Sequence, residues 1–129
     1  MASASETLVH ELVERFPGLS DVLRCHLEFT EGELLPHIFM GDVARAVVAV
    51  WAGSPDAPPG VPLQQLFSYL EERYRTGTEN ETELLAVSFV ENLPYPNEPN
   101  YEIRWMLGPA MAAQFDRIIG PIEDWTGDR

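Results

Sequence analysis

Prolines and glycines divide this chain of 129 residues into short segments, and that division limits what the chain can fold into. Between the 11 prolines and 9 glycines, apolar residues mostly recur every three or four positions. This spacing is typical of amphipathic helices. We therefore predict an all-α fold, a single irregular bundle of about five or six helices that forms one domain over residues 1–129.

Capping boxes predict where two of the helices begin. The patterns Ser-x-x-Glu at residues 3–6 and Thr-x-x-Glu at residues 78–81 place a hydroxyl and a carboxylate where each accepts a hydrogen bond from a free backbone N–H group. The helix predicted over residues 78–92, and another over residues 36–51, carry few charges. We expect these two helices to be central, because a helix with so few charges is covered on more than one side.

The segment over residues 20–31 fits two interpretations. Ser20 suits the N-cap of a helix that ends near Glu28. Its apolar residues instead alternate with polar ones, as in a half-buried strand: Leu23, Cys25, Leu27 and Phe29. We favour the helix because no other segment of the sequence is an evident partner for a lone strand, and the strand remains the alternative.

Three local expectations concern helix surfaces and helix ends. Glu71 and Arg75 are one turn apart, so we expect them to form an ion pair on the outer face of the fourth helix. Gly77 and Asn92 each follow a predicted helix, and we expect both to adopt the left-handed conformation that commonly ends one.

The charge balance excludes several kinds of partner. The chain has 21 acidic residues against 8 arginines and no lysine, which gives a formal net charge of −13. Nucleic acids and anionic lipids attract proteins through an excess of cations. We therefore expect neither a nucleic-acid partner nor a membrane partner. A basic protein partner fits this charge, because complementary charges accelerate association and reject wrong partners.

The single cysteine, Cys25, cannot form an internal disulfide. The N-terminal residues also lack the basic segment and apolar run of a signal peptide. We therefore expect the protein to be cytoplasmic.

Aromatic and acidic residues meet around a proline-rich loop over residues 94–100. Aromatic side chains on a stiff loop lose little entropy on binding, and carboxylates beside them complement a basic partner. The candidate partner-binding residues are Glu91, Tyr95, Glu98, Tyr101 and Glu102. The alternative interpretation is that the rings cover the core. The main hypothesis is a non-enzymatic binding protein, in its most concrete form an immunity-like or antitoxin-like inhibitor of a basic nuclease.

A hydrolase or a metal-dependent enzyme is the alternative hypothesis. A carboxylate near a helix C-terminus is unfavourable, so Glu91 marks either a site or an ion pair with Arg45 or Arg104. The candidate residues of an interhelical cleft are then His37, Glu91 and Asn92. No catalytic, metal-binding or nucleotide-binding motif is complete, so we predict no metal ligands and no cofactor. A homodimer without a separate ligand is a third possibility.

Three segments carry a resemblance to a known family. They are Gly-Glu-Leu-Leu-Pro-His-Ile-Phe-Met-Gly-Asp at residues 32–42, Ser-Phe-Val-Glu-Asn-Leu at 88–93 and Leu-Gly-Pro at 107–109. Together they resemble an uncharacterised family of small helical bacterial proteins with no assigned activity, over about residues 8–119. The resemblance implies a helical single domain in a bacterial cytosol, and it draws attention to His37, Glu91 and Asn92.

Overall fold

The computed structural model describes residues 3–124, and within that range the regular structure is helical without a β-strand. This confirms the all-α fold. Six α-helices follow one another along the chain: α1 Ala4–Arg15, α2 Ser20–Phe29, α3 Pro36–Ala52, α4 Leu63–Thr76, α5 Glu79–Leu84 and α6 Pro109–Ile119. Shorter helical turns join them. They are 3₁₀ turns at Pro17–Leu19, Val90–Asn92, Tyr101–Met106 and Ile122–Asp124, and a π-helical segment at Leu85–Phe89.

Both predicted capping boxes form. The Ser3 hydroxyl accepts a hydrogen bond from the Glu6 N–H at 3.1 Å, and the Glu6 carboxylate accepts one from the Ser3 N–H at 2.9 Å. Thr78 and Glu81 make the same exchange at 3.2 and 2.8 Å. Each box satisfies two backbone N–H groups that the first turn of a helix leaves free.

The segment forms the helix Ser20–Phe29, as favoured, and not a strand, although the N-cap residue is Leu19 and not Ser20. The alternation in this segment arises because α2 is only shallowly buried. Leu23 and Leu27 lie one turn apart and are half-buried, whereas Cys25 and Phe29 are exposed. The buried residue of α2 is the polar His26.

The core lies where α3 packs against α2, α1 and the π-helical segment. α3 contributes five buried apolar side chains: Phe39, Met40, Val43, Ala44 and Val47. The ring of Phe89 in the π-helical segment meets that of Phe67 of α4 edge to face, with centroids 5.7 Å apart. The two predicted central helices are therefore central, although the second changes from α to π to 3₁₀ geometry along its length.

Glu71 does not pair with Arg75 on the outer face, so that prediction is wrong. Arg75 pairs instead with Glu72, at 3.0 Å, and Glu71 is buried. The Glu71 carboxylate accepts hydrogen bonds from the N–H groups of Ala110 at 2.8 Å and Met111 at 3.0 Å. It therefore caps the start of α6, a helix nearly forty residues further along the chain.

The predictions for Gly77 and Asn92 are also wrong. Gly77 is extended, with φ −78° and ψ 174°, and a Cβ there would lie 2.5 Å from the Arg73 carbonyl oxygen. Glycine is thus needed because the Gly77 backbone lies close to the Arg73 carbonyl group, not because it makes a left-handed turn. Asn92 lies in a right-handed 3₁₀ turn, and its Nδ2 donates to the Ser88 carbonyl oxygen at 2.8 Å.

Candidate functional site

An open groove of about 750 Å³ lies between α2, α3 and the proline-rich loop that follows α3. We call it the α2–α3 groove. Its apolar lining comes from Val22, Phe29, Ile38, Ala46, Ala49, Ala57, Pro58 and Pro59. Its polar lining comes from Asp21, Cys25, His26, Asp42, Arg45 and Asp56. An apolar groove with a few polar groups is the usual form of a ligand-binding site.

His26 is the buried polar residue of this groove, and its side chain has no solvent exposure. Its Nε2 accepts a hydrogen bond from the Leu35 N–H at 3.1 Å. In the neutral imidazole the proton is therefore on Nδ1. Within the described part of the chain, Nδ1 has no hydrogen-bond partner, and it lies 3.7 Å from Oδ2 of Asp42. His26 thus holds the loop before α3 through Nε2, and its unused N–H group lies near a carboxylate.

Asp42 and Arg45 form an ion pair one helical turn apart on α3. The Arg45 side chain is 66% exposed and lines a second cavity of about 380 Å³. We call this second space the loop cavity. Its lining residues are Arg45, Val48, Asn92, Pro94, Glu98, Pro99 and Asn100. The α2–α3 groove and the loop cavity therefore share Arg45, and the loop cavity brings together two candidate residues, Asn92 and Glu98.

The tyrosines of the candidate loop cover the core. The rings of Tyr95 and Tyr101 are half-buried, with centroids 6.3 and 6.2 Å from the centroid of Phe115. The Glu98 carboxylate accepts a hydrogen bond from the Tyr95 N–H at 2.7 Å, which stabilises the turn of the loop. Burial, followed by the charges of Glu91 and Glu98, raises the pKa of the Tyr95 hydroxyl, so the ring stays neutral. The charged group that this loop exposes is therefore the carboxylate of Glu98.

Both arginines considered as partners for Glu91 are engaged elsewhere. Arg45 pairs with Asp42, and Arg104 pairs with Asp116 at 2.7 Å. Glu91 and Glu102 are exposed. Glu91 thus adds its charge to the surface beside Tyr95 instead of neutralising an internal arginine.

His37 and Asn92 both contact Ser88, a residue that the sequence did not single out. Nδ1 of His37 lies 2.5 Å from the Ser88 hydroxyl oxygen, and Asn92 bonds to the Ser88 carbonyl oxygen as described above. Ser88 is almost fully buried within the π-helical segment, whereas His37 is exposed. The contact between His37 and Ser88 ties the start of α3 to this segment, whereas the Asn92 bond is local. Glu91, the third member of the predicted cleft, lies on the neighbouring exposed surface.

Many carboxylates are displayed outward. In residues 3–124, arginine ion pairs involve Glu11, Asp21, Glu28, Asp42, Glu72, Glu81 and Asp116. Within the same range, the exposed carboxylates outside such pairs are Glu14, Glu31, Glu33, Asp56, Glu79, Glu83, Glu91, Glu98, Glu102 and Asp124. The surface therefore carries an excess of negative charge that its own arginines leave uncompensated.

The described residues contain neither a cluster of metal-binding side chains nor a helix that could span a membrane. No group of three or more histidine, cysteine or acidic side chains is placed to hold a metal ion in residues 3–124. In the same part of the chain, no helix has both the length and the apolar character needed to cross a membrane.

The sequence did not reveal that His26 and Asp42 lie close together. The two residues are on different helices, and their meeting depends on how α2 packs against α3. The sequence contained one indication that His26 is special. It lies between Leu23 and Leu27 on the inner side of α2, where a polar residue is unusual.

Fold and site together define a small all-α domain with an open, acid-rimmed groove beside its central helix. The chain belongs to the family described as domain of unknown function DUF7674, with a match over residues 9–120. This confirms the resemblance to an uncharacterised family. No curated protein and no solved structure shows significant similarity to the chain.

Proposed function

We propose that this protein is a non-enzymatic binding domain whose acidic surface docks a basic protein partner. The observation that carries the proposal is the set of exposed carboxylates without arginine partners, of which Asp56 lines the α2–α3 groove and Glu98 lines the loop cavity. A surface of this kind accelerates the encounter with a positively charged partner. Glu91, Glu98 and Glu102 are the candidate contact residues on the loop side, and Asp42 and Asp56 are those of the groove.

The concrete form of this proposal is an immunity-like or antitoxin-like inhibitor of a basic nuclease in a bacterial cytoplasm. An inhibitor of a harmful enzyme must bind quickly and must reject other partners, and charge complementarity supplies both properties. Enzymes that act on nucleic acids present cationic surfaces to phosphates, and an acidic protein competes for the same surface. The net charge of −13 suits such competition.

Capture experiments with matched charge variants test the proposal. The immobilised protein is expected to retain a basic protein from its own cell lysate, and salt is expected to release it. Glu91→Gln with Glu102→Gln should weaken binding of the recovered partner by about tenfold or more, since close interfacial charge pairs contribute on this scale. The control, Glu14→Gln with Glu83→Gln, changes the net charge equally at two other exposed positions.

The two pairs of substitutions separate recognition from overall charge. A larger effect of the Glu91 and Glu102 pair supports a docking surface at the loop. Recovery of only acidic or neutral partners, held equally well at high salt, would contradict the proposal.

A hydrolase is the second candidate, and the contact between His37 and Ser88 favours it. An imidazole nitrogen 2.5 Å from a hydroxyl oxygen has the geometry of a base beside a nucleophile. The Ser88 side chain is almost fully buried, however, and lines neither the α2–α3 groove nor the loop cavity. We therefore favour binding. Hydrolysis of a chromogenic ester by the protein, abolished in Ser88→Ala and His37→Ala, would reverse this preference.

A further inference from the structure

The α2–α3 groove exposes large apolar side chains at its edge. Phe29 is 82% exposed and Ile38 is 45% exposed, although both line a concave surface next to Ala46 and Ala49. Large apolar side chains exposed together in a groove are typical of an interaction site. An occupant that covers them must itself present at least one apolar side chain.

The charged groups of the groove favour a cationic occupant. Asp21, Asp42 and Asp56 line it, against the single arginine Arg45. The Asp42 side chain is 30% exposed. Among residues 3–124, Arg45 forms an ion pair with this carboxylate alone, and its side chain is 66% exposed. A partner's cation can therefore take the place of Arg45 at Asp42, which releases Arg45 toward the loop cavity that it also lines.

The buried Nδ1–H of His26 supports Asp42 as the recognition group. It is a donor without a partner among the described residues, and its nitrogen lies 3.7 Å from Oδ2 of Asp42. Burying an unused donor costs free energy unless a partner approaches it. A small inward movement of the Asp42 carboxylate would complete this hydrogen bond and leave its other oxygen available to a cation in the groove.

We propose that the α2–α3 groove binds a short segment of the partner in which an apolar side chain lies next to an arginine or lysine. The apolar side chain contacts Phe29, Ile38 and Ala49, and the cation binds Asp42. A second copy of this chain is a poor occupant, because it brings a net charge of −13 to an already acidic groove. This inference rests on the proposed function and adds where the partner binds and what it presents there.

Cys25 provides a direct measurement, because it is the only cysteine of the chain, is exposed and lines the groove. The probes are short synthetic peptides made of leucine with arginine, serine with arginine, or leucine with glutamate. The readout is the rate at which N-ethylmaleimide alkylates Cys25 in the full chain, followed by mass spectrometry. The leucine–arginine peptide should slow alkylation by about tenfold at saturation, the scale of a well-covered contact, and the other two peptides should change it little.

Two variants with matched controls test the groove itself. Ala49→Trp fills the groove and should remove the protection, whereas Ala113→Trp on an exposed position of α6 should preserve it. Asp42→Asn removes the charge without adding volume and should weaken the leucine–arginine peptide by about tenfold. Glu33→Gln, at an exposed position outside the groove lining, makes the same charge change and should leave its affinity intact.

Three results would overturn the inference: no protection by the leucine–arginine peptide, equal protection by the serine–arginine peptide, or protection that grows with protein concentration alone. The last result would mean that a second copy covers the groove. The proposed function can fail separately. If a basic partner binds while Cys25 stays fully reactive, the groove assignment is wrong and acidic docking stands. If the leucine–arginine peptide protects Cys25 but no basic partner is found in the cell, the groove binds the predicted kind of segment and the proposed function is wrong.

Discussion

Glu71 acts at a distance as the cap of another helix. No side chain caps α6 from its own N-cap residue, Gly108, and the Glu71 carboxylate of α4 accepts the free N–H groups of Ala110 and Met111 instead. The positive end of the α6 dipole also favours a carboxylate there. Gly108 makes the approach possible, because a Cβ at this position would lie 2.5 Å from the carboxylate carbon of Glu71. The Leu-Gly-Pro segment thus has a physical reason for its glycine.

Removal of this cap should destabilise the protein measurably. We expect Glu71→Ala to lower the free energy of unfolding by about 1–2 kcal/mol, the usual cost of losing a helix cap. Urea unfolding at neutral pH is the measurement. Glu72→Ala, which removes only an exposed ion pair with Arg75, should change stability by less than about 0.5 kcal/mol. Equal effects of the two substitutions would show that Glu71 does not cap α6.

Arg73 and Glu81 form the best-connected ion pair of the described structure. Arg73 donates to Glu81 at 2.5 Å, to Glu11 at 2.7 Å and to the Tyr69 hydroxyl at 2.7 Å, and so links α4 to α5 and α1. Burial opposes ionisation of the Glu81 carboxyl. The hydrogen bonds from Thr78 and Arg73 outweigh it, and the pKa of Glu81 lies below its ordinary value.

The sign of this shift predicts how stability depends on pH. A carboxyl whose pKa is lowered by folding contributes its full stabilisation above the ordinary glutamate pKa, 4.5, and loses it as the pH falls through the lower, folded value. Below pH 4.5, unfolding free energy should therefore fall more steeply in the natural protein than in Glu81→Gln. Glu83→Gln, at an exposed position of the same helix, should follow the natural protein. Parallel curves for all three proteins would contradict the assignment.

At the scale of elements, the junction between α2 and α3 depends on His26. Its Nε2 accepts the Leu35 N–H, and its ring packs edge to face against Phe39 with centroids 5.7 Å apart. One side chain therefore fixes both the loop before α3 and the packing of α3 on α2. This junction also forms one wall of the α2–α3 groove.

His26→Phe should keep the packing and lose the acceptor. The Leu35 N–H would then be left without a partner, at a cost of about 1–3 kcal/mol in unfolding free energy. Hydrogen exchange measured by NMR should show faster exchange of the Leu35 amide. His10→Phe, at an exposed position of α1, is the control and should leave that amide protected. Unchanged exchange in His26→Phe would mean that the loop is held by other contacts.

Helix boundaries were predictable where the signal is local. The start of α3 at Pro36 and both capping boxes depend on residues within one turn of the helix end. The error at Glu71 has a different origin, because only folding brings the start of α6 close to this residue. Gly77 and Asn92 are local errors: each contacts a backbone carbonyl four residues earlier, of Arg73 and Ser88, without adopting the left-handed conformation.

The candidate site was predictable in part, as far as it depends on composition. The excess of carboxylates and their exposure follow from composition, because charged residues without partners stay in water. The α2–α3 groove was not predictable, because it requires α2, α3 and the loop after α3 to be placed side by side. Tyr95 and Tyr101 were considered as anchors or as core residues, and contact with Phe115 shows that both rings pack on the core.

Across the surface of the whole molecule, negative charge is displayed outward. Five arginines, at positions 24, 45, 73, 75 and 104, are already engaged with carboxylates of the same chain. The remaining carboxylates create a field that extends about one Debye length, roughly 8 Å at physiological ionic strength. This field opposes association of two copies and favours a basic partner.

The rate of association with the basic partner recovered by capture, followed by stopped-flow fluorescence at increasing salt, tests this account most directly. If the carboxylates steer the encounter, the rate constant should fall by about tenfold or more between about 20 mM and 150 mM salt. A rate constant that stays the same across this range would show that outward charge does not guide recognition.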